Sequence, residues 1–128
     1  MAEPATPPDT APPRIRIRLD YGDGAVMGPG KAELMEGIAR TGSIAAAGRA
    51  MGMSYKRAWQ LVEAMNAMFS QPLVLSSRGG AKGGGAHLTE TGETVLAAFR
   101  ALEEAARQAG APALAQLDAL RGDMSDGK

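Results

Sequence analysis

Ser43-Ile44-Ala45-Ala46-Ala47-Gly48-Arg49-Ala50-Met51-Gly52-Met53-Ser54-Tyr55-Lys56-Arg57-Ala58-Trp59-Gln60-Leu61-Val62 contains two helix starts close together. Ser43 and Ser54 are both suited to the N-cap position, where a serine oxygen accepts an amide N–H that the first helical turn leaves unsatisfied. Ile44 to Met51 supports a helix of about two turns, which Gly52 closes. One residue later the second cap opens a longer helix, Tyr55 to Phe69, with Ala58, Val62, Met65 and Phe69 on its inward stripe.

Working outward, the segment from Lys31 also has a helical period. Ala32, Leu34, Met35, Ile38 and Ala39 line one side, Lys31, Glu33, Glu36 and Arg40 the other, and Thr41-Gly42 stops it. A first helix followed by two short-linked helices predicts a helix-turn-helix. Beyond Pro72, Leu73-Val74-Leu75 and Ala86-His87-Leu88 predict two short strands around a basic, glycine-rich loop, which describes a wing. Thr89 then caps a long helix in which Val95, Leu96, Phe99, Leu102 and Ala106 recur at helical spacing, fading near Gln108-Ala109-Gly110. The predicted class is mainly α with small β: a winged helix-turn-helix with a long C-terminal helix.

The ends read differently. Residues 1–13 hold five of the eight prolines and almost no large apolar side chain, so they are expected to be a disordered lead. Arg14-Ile15-Arg16-Ile17-Arg18-Leu19-Asp20 alternates as a half-buried strand, with the turn Tyr21-Gly22-Asp23-Gly24 and a short return strand Ala25-Val26-Met27, and Gly28-Pro29-Gly30 reads as a break. The domain is placed at residues 14–108. Residues 109–128 are expected to be a flexible or weakly helical tail, with a weak helix over Ala113 to Leu120.

Composition excludes several function classes. At 128 residues and 13.2 kDa there is room for one ordinary domain. No apolar stretch approaches the roughly 18 to 20 residues needed to span a bilayer, and no secretory signal opens the chain, so a cytoplasmic location and no membrane partner are expected. With no cysteine and a single histidine, thiolate chemistry and common zinc sites are excluded, and no metal or cofactor is expected. His87 has no nucleophile pattern around it, so the chain is not expected to be an enzyme. The methionines at 51, 53, 65 and 68 read as gap-filling apolar residues, and Trp59 as packing under the wing or the second helix.

Net charge is zero, but it is unevenly spread. Residues 1–30 carry −1 and 101–128 carry −2, which leaves +3 in the middle. From Arg49 to His87, five cations face Glu63 alone. On the third helix Tyr55, Lys56, Arg57 and Gln60 fall off the apolar stripe, where donors can reach phosphates or base edges. Ser43 and Ser54 offer hydroxyls and helix N-terminal amides to phosphates. Arg78 and Lys82 flank or sit within a run of five glycines in the seven residues 79–85. That run fails as a phosphate-binding loop of the Walker type, because Lys82-Gly83 is followed by Gly84 and a strand, and it fails as a dinucleotide fingerprint for want of a βαβ unit. As a wing it permits close backbone approach to DNA. The alternatives are an ordinary solvated helix face and a simple hairpin end.

Three runs carry a family resemblance: Gly42-Ser43-Ile44 with Ala46-Ala47, then Gly52-Met53-Ser54-Tyr55-Lys56-Arg57-Ala58-Trp59, then Arg78-Gly79-Gly80-Ala81-Lys82-Gly83-Gly84-Gly85-Ala86-His87-Leu88-Thr89. Over about Arg14 to Ala106 the chain resembles the N-terminal DNA-binding domain of the ModE molybdate-responsive regulators, and its helix-turn-helix is similar to that of LysR-type regulators. The resemblance implies a homodimeric, molybdenum-related transcription regulator, paired through the long helix with help from the first helix and the N-terminal strand. Val95, Leu96, Phe99 and Leu102 are the expected dimer face, and a two-fold dimer would read a palindromic duplex site. ModE proteins of full length carry molybdate-binding modules after that helix, whereas about 20 residues follow it here. The expectation is therefore a DNA-binding regulator without its own effector domain, taking any signal from an unknown effector or partner protein. The alternative is a winged-helix protein-interaction module without specific DNA binding, with the Arg14, Arg16 and Arg18 face serving an acidic partner.

Overall fold

The first two strands, β1 (Leu19–Asp20) and β2 (Val26–Met27), form an antiparallel pair with Leu19 opposite Met27. The alternation seen in the sequence survives in the burial, with Arg16, Arg18 and Asp20 exposed between half-buried Ile17 and Leu19, but only the last two residues join the ladder. The structure is a computed structural model that describes residues 13–77 and 85–127, with side chains to residue 121. The described residues fall into two compact units: residues 16–102, and residues 103–127 together with 13–15.

Helix α1 spans Pro29–Thr41, earlier than the sequence reading placed it. Pro29 is the first helical residue, where a missing N–H costs nothing and the fixed φ suits the helix, so the apparent break is a start. Ala32, Leu34, Met35 and Ile38 are buried as expected, whereas Ala39 faces out. Gly42 ends the helix at φ 73°, its N–H donating to the Ile38 carbonyl at 2.8 Å. Helix α2 covers Ile44–Ala50 and helix α3 Tyr55–Met68. Both serines cap as predicted: Ser43 Oγ accepts from the Ala46 amide at 2.9 Å, and Ser54 Oγ from the Arg57 amide at 3.0 Å.

Closeness rather than side-chain bulk joins these helices. A Cβ on Gly37 would stand 2.9 Å from the Ala47 Cβ, and one on Gly48 would stand 2.7 Å from the Ala58 Cβ. Above them β3 (Val74–Ser77) and β4 (Gly85–Leu88) pair antiparallel, with Val74 opposite Leu88 and Ser77 opposite Gly85. The Ala86 N–H donates to the Gly42 carbonyl at 2.9 Å, which fastens this hairpin to the end of α1.

Helix α4 runs Glu90–Ala109. The Thr89 hydroxyl accepts from the Gly92 amide at 2.9 Å and donates to the Pro72 carbonyl at 2.8 Å, so one residue caps α4 and holds the approach to β3. Phe99 of α4 is 3% exposed and joins Leu34, Met35, Ile38, Met65 and Leu73 in the buried apolar cluster, with Val95 and Leu96 packed at its edge. No polar or charged residue lies buried among the described residues. Arg100 Nε meets Glu36 Oε2 at 2.8 Å and ties α4 to α1. In the other unit, α5 extends over Ala111–Gly127, longer than the weak helix expected at Ala113 to Leu120. Its alanines and leucines favour helix, and Pro112 lies in the first turn, where a helix tolerates it. Among the side chains of α5 described, Leu117 and Leu120 are exposed.

Two expectations follow. A Cβ on Gly92 would stand 3.0 Å from the Leu73 carbonyl carbon and closer still to its oxygen, both backbone atoms that cannot rotate away. Gly92→Ala should therefore destabilise the fold by about 1 to 3 kcal/mol in denaturant titration, against the gain that alanine brings inside an unobstructed helix. The hydrogen bond from Arg100 holds the Glu36 carboxyl below its usual range, helped by the charges of Arg100 and Arg40 and opposed by partial burial. A lowered folded-state pKa contributes stability above the ordinary glutamate range and loses it as pH falls through the depressed one. Both side chains are partly exposed, so the stability gap between wild type and Glu36→Gln should be about 1 kcal/mol or less at neutral pH and should close in acid. A gap that is independent of pH would contradict the pairing.

Candidate nucleic-acid interface

Position around α3 sorts its residues, since each step turns the helix by about 100°. Ala58, Val62 and Met65 are buried toward the other helices. Tyr55 and Trp59 point to one flank, Lys56, Gln60 and Glu63 outward, and Arg57, Ala64 and Met68 to the opposite flank. Lys56, Arg57 and Gln60 are all exposed, and Tyr55 is 60% exposed. The structure therefore brings Tyr55, Lys56, Arg57 and Gln60 to one accessible helix end, with Ser54 exposed at its cap and Ser43 half-buried at the start of α2.

On the first flank, Ser43, Ala45, Tyr55, Trp59, Ser76 and Ala86 surround a cavity of 320 Å³ between α2, α3 and the hairpin. Trp59 is half-buried and packs on the core, as predicted, with Tyr55 edge-on to it at 6.1 Å and 77°. Its indole Nε1 is buried with no hydrogen-bond partner among the described residues. Arg78 and Lys82, the two predicted wing contacts, lie outside the described residues.

Sequence reading missed Asn66. From the middle of α3 its Oδ1 accepts the amides of Leu73 and Val74 at 2.8 and 3.0 Å, and its Nδ2 donates to the Val74 carbonyl at 2.9 Å. These three bonds hold the base of the hairpin on the helix that presents Lys56 and Gln60. No local pattern marks an asparagine for this role, because its partners lie seven and eight residues away in a segment without regular period.

Lys31 was also missed. Its Nζ donates to the Val26 carbonyl at 2.7 Å, and it lines a groove of 310 Å³ with Asp23, Val26, Ala64, Ala67 and Met68, on the Arg57 flank of α3. Partial burial holds its ammonium below the usual lysine range, and the nearby charges of Arg57 and Arg18 push the same way. The predicted dimer face fares unevenly. Phe99 is part of the chain's own buried apolar cluster, so it is withdrawn from the exposed stripe. Val95 and Leu96 are half-buried, and Leu102 is 40% exposed beside a 170 Å³ groove lined by Leu19, Tyr21, Met27 and Phe69.

With this geometry in place, residues 31–93 match the bacterial regulatory helix-turn-helix protein, lysR family. That segment is similar to the lysR-family helix-turn-helix. The solved CbnR DNA-binding domain in its DNA complex has the same fold, with a TM-score of 0.53 at 23% identity, covering 68% of this chain and 94% of that one. Among relatives, the chain is similar to the molybdenum-pterin-binding protein MopB of Rhodobacter capsulatus, 50% identical over 80 residues, or 62% of this chain and 30% of that protein. The molybdenum transport protein ModE of Azotobacter vinelandii is 40% identical over 88 residues, 69% of this chain and 33% of that protein. The DNA-binding transcriptional dual regulator ModE of Escherichia coli K12 is 35% identical over 81 residues, 63% and 31% of the two. The chain thus spans about a third of the length of these relatives, the third that resembles ModE in the sequence. No helix among the described residues is long and apolar enough to cross a membrane.

Replacing Asn66 by Ala leaves two amides and a carbonyl without their partner, at about 1 to 3 kcal/mol for each group that water cannot reach. Asn66→Ala should lower the unfolding midpoint and raise amide hydrogen exchange at Leu73 and Val74. Unchanged exchange at those two residues would show that the side chain does not hold the hairpin.

Proposed function

We propose that this chain is a sequence-specific DNA-binding transcription regulator of ModE type, acting as a homodimer on a palindromic duplex. The observation that carries the reading is the outward face of α3. Lys56 and Gln60 stand exposed near its capped N-terminal end, in a lysR-family helix-turn-helix, and no acid pairs with Lys56 among the described residues. An α-helix presenting such donors fits the major groove, where Gln recognises adenine and Lys recognises guanine by hydrogen bonds to base edges. Ser43 and Ser54 keep hydroxyl hydrogens free to donate to phosphates, since capping uses only their oxygen lone pairs. The hairpin stands beside α3, so Arg78 and Lys82 serve the backbone or the minor groove in this reading. Leu102, with half-buried Val95 and Leu96, supports the pairing surface.

Molybdenum-responsive genes are the target class that the relatives' names suggest. In this reading the protein works on chromosomal DNA, in the cytoplasm.

The test is fluorescence anisotropy with duplexes selected from a random pool, titrated over salt. Two chains should bind each selected site, with log affinity falling linearly against log salt. Gln60→Ala should weaken binding to the selected site by about 1 to 3 kcal/mol while leaving nonspecific duplex nearly unaffected. Equal losses on all sequences would remove Gln60 from base readout. Selection that recovers no preferred sequence would leave the winged-helix fold serving a protein partner instead.

A further inference from the structure

The flank of α3 turned away from the hairpin gathers three cations from three separate segments. Arg18 is exposed on the extended stretch before β1, and its Cα lies 4.0 Å from where a Gly28 side chain would begin, so this stretch runs directly against the start of α1. Lys31 leaves the first turn of α1 and is fixed by its bond to the Val26 carbonyl. Arg57 lies two turns before Ala64 on the same face of α3, and Ala64 shares the groove with Lys31.

Proteins ordinarily relieve such a cluster with interleaved acids. Here Arg18, Lys31 and Arg57 make no ion pair among the described residues. Asp23 lines the groove, but one of its carboxylate oxygens accepts the Ala25 amide at 3.1 Å. Besides partial burial, the charges of Arg57 and Arg18 disfavour the charged form of Lys31, so the field at this groove is positive on the Arg57 side. Holding a half-buried lysine in the field of two arginines is unfavourable in the free protein, and an anion that neutralises all three relieves it.

We propose that Arg18, Lys31 and Arg57 form a second phosphate-binding ledge, gripping the duplex backbone on the side of α3 opposite the hairpin. This rests on the DNA-binding reading above and extends it. The helix then sits in the groove with the hairpin beside one backbone and the ledge on the other. Arg57 acts in this arrangement as a phosphate contact, because its side chain leaves the flank of α3, while Lys56 and Gln60 occupy the outward face.

The experiment uses the full chain with three variants: Arg18→Ala, Lys31→Gln, which keeps a donor for the Val26 carbonyl, and Arg107→Ala as a charge control outside residues 16–102. Thermal unfolding by circular dichroism confirms that each remains folded. Arg18→Ala and Lys31→Gln should each lower the slope of log affinity against log salt by about one, and weaken binding about five- to tenfold near 0.15 M salt on selected and nonspecific duplexes alike. Arg107→Ala should leave both unchanged. If wild type binds duplex while Arg18→Ala and Lys31→Gln keep its slope and affinity, the ledge is overturned and the DNA-binding reading stands. If wild type binds no duplex, both fall. If Arg18→Ala loses binding to poly-glutamate with duplex binding intact, the surface belongs to an acidic protein and the ledge is overturned.

Discussion

Two helix crossings with no room for a methyl group set the geometry of this molecule. Gly37 lets α1 approach Ala47 of α2, and Gly48 lets α2 approach Ala58 of α3. Any side chain at either glycine would push these helices apart, and packed interiors transmit such displacements rather than absorb them. The rest of the unit docks on what these crossings define. The hairpin reaches back to the Gly42 carbonyl at the end of α1, and α4 contributes Phe99 to the buried apolar cluster.

Charge follows the same division. Among the described residues no polar or charged residue is buried, so their ionised groups all reach the surface. Glu36 pairs with Arg100 and Glu104 with Arg107, while among the described residues Lys56, Arg57 and Lys31 around α3 make no ion pair. A net charge of zero is thus compatible with a strongly polarised molecule. Summed charge measures the whole chain, but an anionic partner meets only the face it approaches.

Much of the architecture was legible because its signals are local. Ser43, Gly42, Gly52 and Ser54 mark helix boundaries within a residue or two, and the apolar stripe of α3 fixes which residues face away. Misreadings arose where a residue has two meanings or a distant partner. Pro29 looked like a break and is a first helical residue, and Phe99 looked like part of an intermolecular stripe and is core, since periodicity shows that a face is apolar without saying what covers it. The candidate interface was legible as residue types on α3. Its supports were not: Asn66 acts across seven and eight residues, and Lys31 matters through Arg18 and Arg57, which the chain brings to it only on folding.

The bracket made by Asn66 has a mechanical meaning. It fastens the hairpin to α3 through both an amide donor and a carbonyl acceptor of the same side chain, so the strand base is fixed in rotation as well as in distance. Helix and hairpin therefore share one bearing, and a tilt of either carries the other through the same angle. A hinged pair could adjust each element separately to an imperfect surface. This pair has surrendered that degree of freedom, so any remaining misfit must be accommodated by the partner's shape and not by the protein's.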